Sequence, residues 1–398
     1  MRKALPFYLI FTGLYGLMHA LVFSLAAYAL NLNGAASAVL ALWLAAMALA
    51  PAALGLIGER TGVASLVCFT WMGIVFYLFL GSLALVPFLA LPWPGLHAAL
   101  FCIMVAVSLA ACAYGFAHAR RVKVRELTLV TDKLPPGVDR LRLAVISDLH
   151  LYSVEEGARL DRVLPLLAAL DFDLLVSLGD LIESGIHLAP WDEEAARLAR
   201  VTPRLGKYAV GGNHELYADN MAGADVSRRF HRAAGFELLD GRVADVGGLI
   251  WLAGVDYPGH GVQTGGGPGR DVAVLSGLTR DRPVVLLKHL PKVDLQAVGL
   301  FDLQLSGHSH AGQMWPFYHV VKAFFPFIRG LYDLGSGSRL YVTPGTGTWG
   351  PPMRVGTTPE ITVVELRRGE NRPSSSRGLP PPGPRSSGEN EDRKAGDS

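Results

Sequence analysis

Long apolar stretches fill the first third of the chain, and shorter apolar runs that end in polar residues follow them. Four of the long stretches reach the roughly 20 residues that cross about 30 Å of hydrocarbon in a helix. A cleavable signal peptide would explain only the first of them. The four stretches are Leu5–Leu30, Ala35–Ile57, Val63–Leu91 and Gly95–Ala119. We therefore predict an all-α membrane domain of four helices over residues 1–120.

The positive charges around these stretches predict their orientation. Arg2 and Lys3 precede the first stretch, Arg60 lies between the second and the third, and four basic residues follow the fourth over 120–125. The loops after the first and third stretches carry no Lys or Arg. Because Lys and Arg are enriched in cytoplasmic loops, we expect both ends of the chain on the cytoplasmic side.

From about residue 121 the pattern changes to short apolar runs of strand length and segments with helical spacing. Helical spacing is seen over Glu156–Leu170 and Asp192–Arg200. The runs predicted as strands are Leu141–Ser147, Leu174–Leu178, Tyr208–Val210, Ile250–Ala253, Val284–Leu287, Leu303–Leu305, Leu340–Val342 and Ile361–Leu366. Several later strands follow one another without helices, which predicts a layered α/β domain with mixed sheets over 141–368. A basic connector over 121–140 precedes it.

Composition and charge add three predictions. The tail over 369–398 is rich in Pro, Ser, Gly and charge and is predicted to be disordered. The net charge is +2, and no basic stripe with interleaved aromatic residues is visible, so we expect no nucleic-acid partner. All three cysteines, Cys68, Cys102 and Cys112, lie in the apolar stretches, which favours small buried side chains over a disulfide framework or a zinc site.

Five polar blocks each follow the carboxyl end of a predicted strand, which is where open α/β sheets place their chemistry. The blocks are Asp148-Leu149-His150, Gly179-Asp180, Gly212-Asn213-His214-Glu215, Lys288-His289 and Gly307-His308-Ser309-His310. A single Asp at a strand end is more often a turn or cap residue, and a single His is usually structural. Five such blocks after five strands predict one shared site.

The residue types in the blocks suit two divalent cations. Asp148 and His150 are two residues apart, so an extended segment directs both to one face as ligands of one ion. The carboxylate of Asp180 can bridge two ions, and Asn213 offers a neutral carbonyl oxygen. Nitrogen ligands come from His289, His308 and His310. Oxygen and nitrogen ligands without thiolate favour Mn²⁺, Fe²⁺ or Fe³⁺, or Zn²⁺.

This chemistry predicts hydrolysis of a phosphoester. Two cations about 3.5–4 Å apart lower the pKa of a shared water and clamp the phosphate oxygens. The bridging hydroxide then attacks phosphorus in line with the leaving group, and His214 is the candidate general acid. Glu215 either orients His214 or accepts hydrogen bonds from the backbone, and the sequence leaves both roles open.

Together the blocks resemble the signature of the calcineurin-like metallophosphoesterase family over roughly Leu141–Arg367. This resemblance implies a β-sandwich flanked by helices, with His214 as the catalytic histidine. The metal ligands that it implies are Asp148, His150 and His310 for one ion, Asn213, His289 and His308 for the other, and Asp180 between the two.

Two further segments, Gly307–Gln313 and Pro359–Thr362, are similar to a bacterial membrane-associated subgroup of that family. The resemblance implies a multi-pass protein of the bacterial inner membrane. Some members of the subgroup hydrolyse the pyrophosphate of UDP-diacylglucosamine, and others are known only as phosphoesterases. Ala311 stands where Gly is frequent, and Gly356-Thr357 stands where Cys-Pro is common, so the departures leave the metal ligands intact and weaken only the transfer of a substrate.

An aromatic segment, Met314–Leu334, separates the last block from the next strand. It is either an interfacial flap that guides a lipid tail toward the metals or a helix packed on the protein. We expect the partners to be the bilayer and a phosphorylated, lipid-linked substrate, either similar to UDP-diacylglucosamine or a phospholipid headgroup. The alternatives are a membrane-tethered phosphatase of soluble substrates and a non-catalytic sensor or transporter, and the few polar residues in the spans count against an ion pathway.

Overall fold

Four long N-terminal helices open the fold. The computed structural model describes residues 5–57, 62–151, 158–183, 191–255, 257 and 269–369. Each of the four helices is long and apolar enough to cross a membrane, and only 6% to 28% of each apolar window is buried inside the protein. The helices are α1 (Leu5–Ala29), α2 (Gly34–Ile57), α3 (Gly62–Leu85) and α4 (Pro94–Ala119), and a short 3-10 turn, Val86–Ala90, follows α3. The four predicted helices are therefore confirmed as helices.

The predictions for the three cysteines and for the basic residues of this region have different outcomes. The three cysteines are free thiols, as expected, but Cys102 lies exposed on α4 while Cys68 and Cys112 are buried. A helix surrounded by lipid can present a small apolar side chain outward, so burial inside the protein was the wrong expectation for Cys102. The charges at Arg2, Lys3 and Arg60 lie outside the described residues.

Two six-stranded mixed sheets follow the helices and pack face to face. The strands are β1 (Lys123–Thr131), β2 (Arg140–Ile146), β3 (Leu174–Ser177), β4 (Lys207–Ala209), β5 (Glu237–Leu238), β6 (Val243–Val246), β7 (Ile250–Val255), β8 (Val284–Lys288), β9 (Leu303–Ser306), β10 (Gly330–Gly335), β11 (Ser338–Val342) and β12 (Glu360–Arg368). The first sheet has the order β1-β12-β2-β3-β4-β5, and the second has the order β10-β11-β9-β8-β7-β6. The predicted α/β sandwich is confirmed.

The alternation of side chains along the strands builds the layers. In β2, Leu143 and Val145 face the core between the sheets, where they meet Val285 and Leu305 of the second sheet. Ile146 faces the other way, toward the helices on the outside of the first sheet. Because both faces are covered, the central strands are apolar at almost every position. The helices of this domain are α5 (Ala158–Ala168), α6 (Asp192–Ala199), α7 (Asn213–Ala222), α8 (Val226–Ala233), α9 (Arg270–Leu275) and α10 (Tyr318–Phe324).

Three predicted segments differ in detail from the structure. The connector over 121–140 contains β1, which pairs in parallel with the whole of β12. The aromatic segment over Met314–Leu334 divides into helix α10 and strand β10, which pairs antiparallel with β11, so the flap hypothesis applies only to its first half. Of the predicted tail, residues 370–398 lie outside the described part of the chain.

Candidate metal centre

The seven predicted metal ligands lie together beside the ends of four strands. Residues after β2 and β3 of the first sheet meet residues after β8 and β9 of the second, and the first residue of α7 joins them. Six of the seven side chains are buried, and His308 is half-buried. The ligand positions are Asp148, His150, Asp180, Asn213, His289, His308 and His310. Five strand-end blocks thus form a single cluster.

Asp148, His150 and His310 make up the first ligand group. Their ligand atoms all lie within 4.8 Å of one another. Nε2 of His150 is 3.1 Å from Nε2 of His310, and the latter atom is 3.6 Å from Oδ1 of Asp148. Two ring nitrogens and one carboxylate oxygen therefore point at one small volume.

Asp180, His289 and His308 make up the second ligand group, again within 4.8 Å. Nε2 of His289 is 3.2 Å from Oδ2 of Asp180 and 3.2 Å from Nδ1 of His308. Oδ1 of Asn213 lies 3.0 Å from the same His308 nitrogen. Oδ2 of Asp180 is also 3.9 Å from Nε2 of His150, so this carboxylate lies between the two groups.

The chemistry of this donor set fits divalent cations. Burial, with repulsion from His289, lowers the pKa of His308 to about 3, and burial with repulsion from His150 holds the pKa of His310 well below its usual range. Both rings are therefore neutral and have a lone pair to offer. Burial also raises the pKa of Asp148, because a carboxylate is costly there without a nearby positive charge. Cations bound between these atoms would supply that charge.

The backbone of the site is unusual. Five of the seven predicted ligand residues have a positive φ angle: Asp148 at 53°, His150 at 48°, Asp180 at 52°, His308 at 70° and His310 at 46°. Residues other than glycine rarely adopt this left-handed backbone conformation, and each instance costs roughly 1–3 kcal/mol. Such strain is typical of functional sites, where the surrounding fold holds the side chains in their working positions.

His214 lies beside the cluster and is held by a carboxylate that the sequence reasoning missed. Its Nδ1 is 2.5 Å from Oε1 of Glu183, whose Oε2 is 3.2 Å from Nδ1 of His150. Burial lowers the pKa of His214, but the negative charges of Glu183 and Asp180 outweigh this effect and raise it to about 9. The two carboxylates therefore favour the protonated form of the His214 ring. The only local signal for Glu183 was that it follows Asp180, the last residue of the second block, by three positions.

Comparison with known proteins agrees with this geometry. The calcineurin-like phosphoesterase family matches residues 141–312. A "transmembrane protein with metallophosphoesterase domain" from Danio rerio is 34% identical over 275 residues, which cover 64% of this chain and 60% of that protein. An uncharacterized metallophosphoesterase from Aquifex aeolicus is 33% identical over 261 residues, which cover 64% of this chain and 95% of that protein. The chain belongs to the metallophosphoesterase family.

Other similarities are weaker, and the extent of the match varies. The uncharacterized metallophosphoesterase YkuE of Bacillus subtilis is 28% identical over 274 residues, which cover 90% of its length. A dimetal phosphatase structure from Danio rerio matches with a TM-score of 0.35 and 13% identity, covering 52% of this chain and 88% of that chain. The chain spans about 60% of the length of the Danio rerio transmembrane relative. Family membership confirms the predicted metallophosphoesterase.

Glu215 of the metallophosphoesterase domain accepts hydrogen bonds from the backbone. Its Oε2 accepts from the amides of Asp180 at 2.8 Å and Gly212 at 2.7 Å, and its Oε1 accepts from the amide of Leu181 at 2.8 Å. A buried carboxylate with several N–H donors is well satisfied and fixes the chain around it. Of the two roles left open by the sequence, Glu215 has the structural one and ties the start of α7 to the Asp180 loop.

Two glycines of the blocks allow this close packing. A Cβ atom on Gly212 would lie 2.2 Å from Oδ1 of Asp180, and a Cβ atom on Gly307 would lie 2.1 Å from Oγ of Ser147 and 2.5 Å from Oδ2 of Asp148. Contacts this short do not occur in proteins, so only glycine fits at either position. The glycines in the motifs thus bring the backbone against the two ligand carboxylates.

Proposed function

We propose that this metallophosphoesterase is a membrane-anchored dimetal enzyme that hydrolyses a phosphoester or pyrophosphate bond of a lipid-linked substrate. The observation that carries the proposal is the pair of adjacent ligand groups, buried except for His308, with the Asp180 carboxylate between them. A structural metal site would need only one such group. Two adjacent groups are the arrangement expected for two-metal phosphoryl chemistry.

We assign the donor atoms to two ions in the way that the sequence resemblance implies. When bound, the cations supply Lewis acidity toward phosphoryl oxygens and lower the pKa of a bound water. The donor set favours Mn²⁺, Fe²⁺ or Fe³⁺, or Zn²⁺. The proposed ligands are Asp148, His150 and His310 for one ion, Asn213, His289 and His308 for the other, and Asp180 for both.

The protein's own proton donor is His214. Because Glu183 accepts from Nδ1, the opposite ring nitrogen, Nε2, is available to the substrate. A cationic imidazole there delivers a proton to the oxygen that leaves phosphorus. His214 also donates its backbone amide to Oδ1 of Asp180 at 2.9 Å, which fixes the distance between the acid and the metal ligands.

Helices α1–α4 serve as the membrane anchor in this proposal. They expose large apolar side chains such as Leu42 and Ile103, which water would disfavour and lipid would accept. Two relatives are named transmembrane proteins, from Danio rerio and Bos taurus. With the positive charges at the ends of the spans on the cytoplasmic side, the sandwich lies in the cytoplasm, against the inner face of a bacterial inner membrane.

A lipid-linked substrate is supported by the position of α10. This helix and its flanks expose Trp315, Phe317, Val320 and Phe324, whereas soluble surfaces rarely group large apolar side chains. One end of the segment contacts α3, because the hydroxyl of Tyr77 donates to the carbonyl of Trp315 at 2.9 Å. The other end contacts the metal centre.

That second contact is between Phe325 and His308, whose ring centroids are 5.0 Å apart. Apolar side chains thus lead from a membrane helix to a metal ligand over about ten residues. A lipid tail that lies against α10 would leave its phosphate beside the ligand groups. Lys322 and Arg329, at the same segment, offer positive charge to an anionic headgroup.

Replacing Phe324 with Ser tests the lipid assignment. Phe324 is 73% exposed, and losing its insertion among acyl chains should raise KM for a diacylated substrate in vesicles about tenfold. Turnover of the water-soluble headgroup analogue should stay within about twofold, because the metal centre is unchanged. Steady-state kinetics on the full-length protein, with both substrates, measure the two effects.

Leu295→Ser is the matched control, because Leu295 is 76% exposed and lies between β8 and β9 instead of on α10. It should leave both substrates unaffected. If wild-type protein turns over the diacylated substrate and its soluble analogue equally well, and Phe324→Ser changes neither, the enzyme acts on soluble substrates and the lipid assignment is wrong.

A further inference from the structure

The loop over 351–358, between β11 and β12, joins the helical bundle to the metal centre. On the bundle side, the amide of Arg354 donates to the carbonyl of Gly115 in α4 at 2.9 Å. Met353 is buried in an apolar cluster with Tyr77 of α3 and Cys112 of α4. Nε2 of His118 lies 3.1 Å from the hydroxyl of Thr358. Contacts from two membrane helices therefore fix this loop.

Glycines on α3 and α4 let the loop approach closely. A Cβ atom on Gly115 would lie 2.7 Å from Cγ2 of Val355 and 3.3 Å from Cβ of Met353. A Cβ atom on Gly73 would lie 2.7 Å from Sδ of Met353. Any larger side chain at Gly115 must displace the loop, because the β-branched Val355 cannot move aside as a long, flexible side chain can.

On the other side of the loop, Arg354 reaches into the metal centre. Its side chain is fully buried. Nη1 donates to the carbonyl of His310 at 3.1 Å, Nε donates to the carbonyl of Gly347 at 3.2 Å, and Nη2 donates to the carbonyl of Gly345 at 3.4 Å. Nη2 is also 3.3 Å from Nδ1 of the His310 ring. The guanidinium thus holds both the backbone and the ring of a predicted metal ligand.

The two glycine carbonyls connect Arg354 to a second ligand. The amide of Gly347 donates to the carbonyl of Asp148 at 3.1 Å. A Cβ atom on Gly345 would lie 2.9 Å from Cβ of Asp148, so the loop after β11 lies directly against the Asp148 side chain. Arg354 therefore contacts the surroundings of two of the three residues in the first ligand group.

We propose that Arg354 is a positioning residue for the first ligand group, and that the packing of α3 and α4 on the 351–358 loop sets its place. This inference rests on the metal ligation proposed above. The strained backbone of His310, with φ at 46°, needs an external hold, and the buried guanidinium provides it by donating to the His310 carbonyl. The same guanidinium also donates to the carbonyls of Gly345 and Gly347 beside Asp148. Affinity for one of the two metal ions thereby depends on the membrane helices.

Two substitutions at Arg354 test the positioning role in full-length protein in detergent micelles. Mn²⁺ is titrated while electron paramagnetic resonance reports the free ion, and wild type should bind two ions. Arg354→Gln should weaken one of the two binding steps about 10- to 100-fold, as loss of groups around metal ligands does, and leave the other within about twofold. Arg354→Lys should not restore the weakened binding step, because one ammonium group cannot replace a planar guanidinium that donates to three carbonyls.

Two results at Arg354 would contradict this prediction. Full recovery of both steps in Arg354→Lys would show that only the charge matters. Equal weakening of both steps, with a lower melting temperature, would show a general loss of stability. Either outcome would overturn the positioning role.

Gly115→Leu tests the dependence on the bundle without changing any residue of the metal centre. It should weaken the same Mn²⁺ step as Arg354→Gln. Gly81→Leu is the control, because a Cβ atom on Gly81 would meet Met104 of α4, 2.4 Å from its Cγ, inside the bundle and away from the loop. The control should bind both ions as wild type does.

Wild-type affinity for both ions in Gly115→Leu would contradict the dependence on the bundle. Fewer than two Mn²⁺ ions in wild type would instead contradict the proposed function. The same titration therefore tests the dependence on the bundle with Gly115→Leu and the proposed function with the wild-type protein.

Discussion

Asp180→Asn should lower turnover of bis-p-nitrophenyl phosphate, with Mn²⁺ present, about 10³-fold. The carboxylate lies between the two ligand groups, 3.2 Å from Nε2 of His289 and 3.9 Å from Nε2 of His150. Asn keeps the shape and can still accept the amide of His214, but it removes the negative charge that the proposed mechanism places between the two ions. A loss of about 4 kcal/mol in transition-state stabilisation corresponds to that factor.

Asp171→Asn is the matched control for this substitution. It makes the same chemical change at a carboxylate whose side chain is 70% exposed and pairs with Arg140 on the surface. Exposed ion pairs contribute little, so its turnover should stay within about twofold of wild type. If Asp180→Asn also retained turnover within tenfold, a bridging role for Asp180 would be ruled out.

His214→Ala should have an effect that depends on the leaving group. A proton donor matters most when the departing oxygen is a strong base, so turnover of an alkyl phosphate ester should fall about 10²- to 10⁴-fold. Turnover of a p-nitrophenyl ester should fall much less, because nitrophenolate leaves without a proton. A plot of log kcat against leaving-group pKa, for wild type and variant, measures the difference as a steeper slope in the variant.

Glu183→Gln should reproduce part of the His214 effect. It keeps the side-chain size but removes the charge that helps raise the pKa of His214, so the variant loses about 10- to 100-fold in turnover of the alkyl ester. The pKa of His214 falls, so the alkaline limb of the pH profile moves to lower pH. Glu126→Gln removes a carboxylate that is 66% exposed and should change neither the turnover of the alkyl ester nor the pH profile.

Equal losses on both esters in His214→Ala would contradict a general-acid role for His214.

The parts of the fold that follow from local pattern were predictable from the sequence. The run Leu141–Ser147 is apolar at nearly every position because β2 is covered on both faces, and it was predicted as a strand for that reason. Asp148 and His150 were predicted to share one face because they are two residues apart in an extended segment. Their side chains do meet in one group, but both residues have left-handed backbone, so the extended conformation was wrong. The four long helices were predicted because each apolar stretch is long enough to cross about 30 Å of hydrocarbon as a helix.

The remaining features depend on contacts between distant parts of the chain. Arg354 contacts His310 across 44 residues, and no local pattern marks a buried arginine that binds carbonyls. Strand β1 is mostly exposed along one edge, so it has no continuous apolar run. The surrounding loops impose the left-handed backbone at Asp148 and Asp180. Local sequence preferences alone would favour a negative φ angle at both residues.

Metal content is the most direct test of two-metal chemistry in this protein. Full-length protein is stripped with EDTA, reloaded with Mn²⁺, freed of excess ion and measured by inductively coupled plasma mass spectrometry beside hydrolysis of bis-p-nitrophenyl phosphate. Two ions per chain should bind, hydrolysis should vanish on stripping and return on reloading, and Asp180→Asn should hold fewer ions. Hydrolysis that survives complete stripping, or an active wild-type protein that binds only one ion, would contradict the dimetal mechanism.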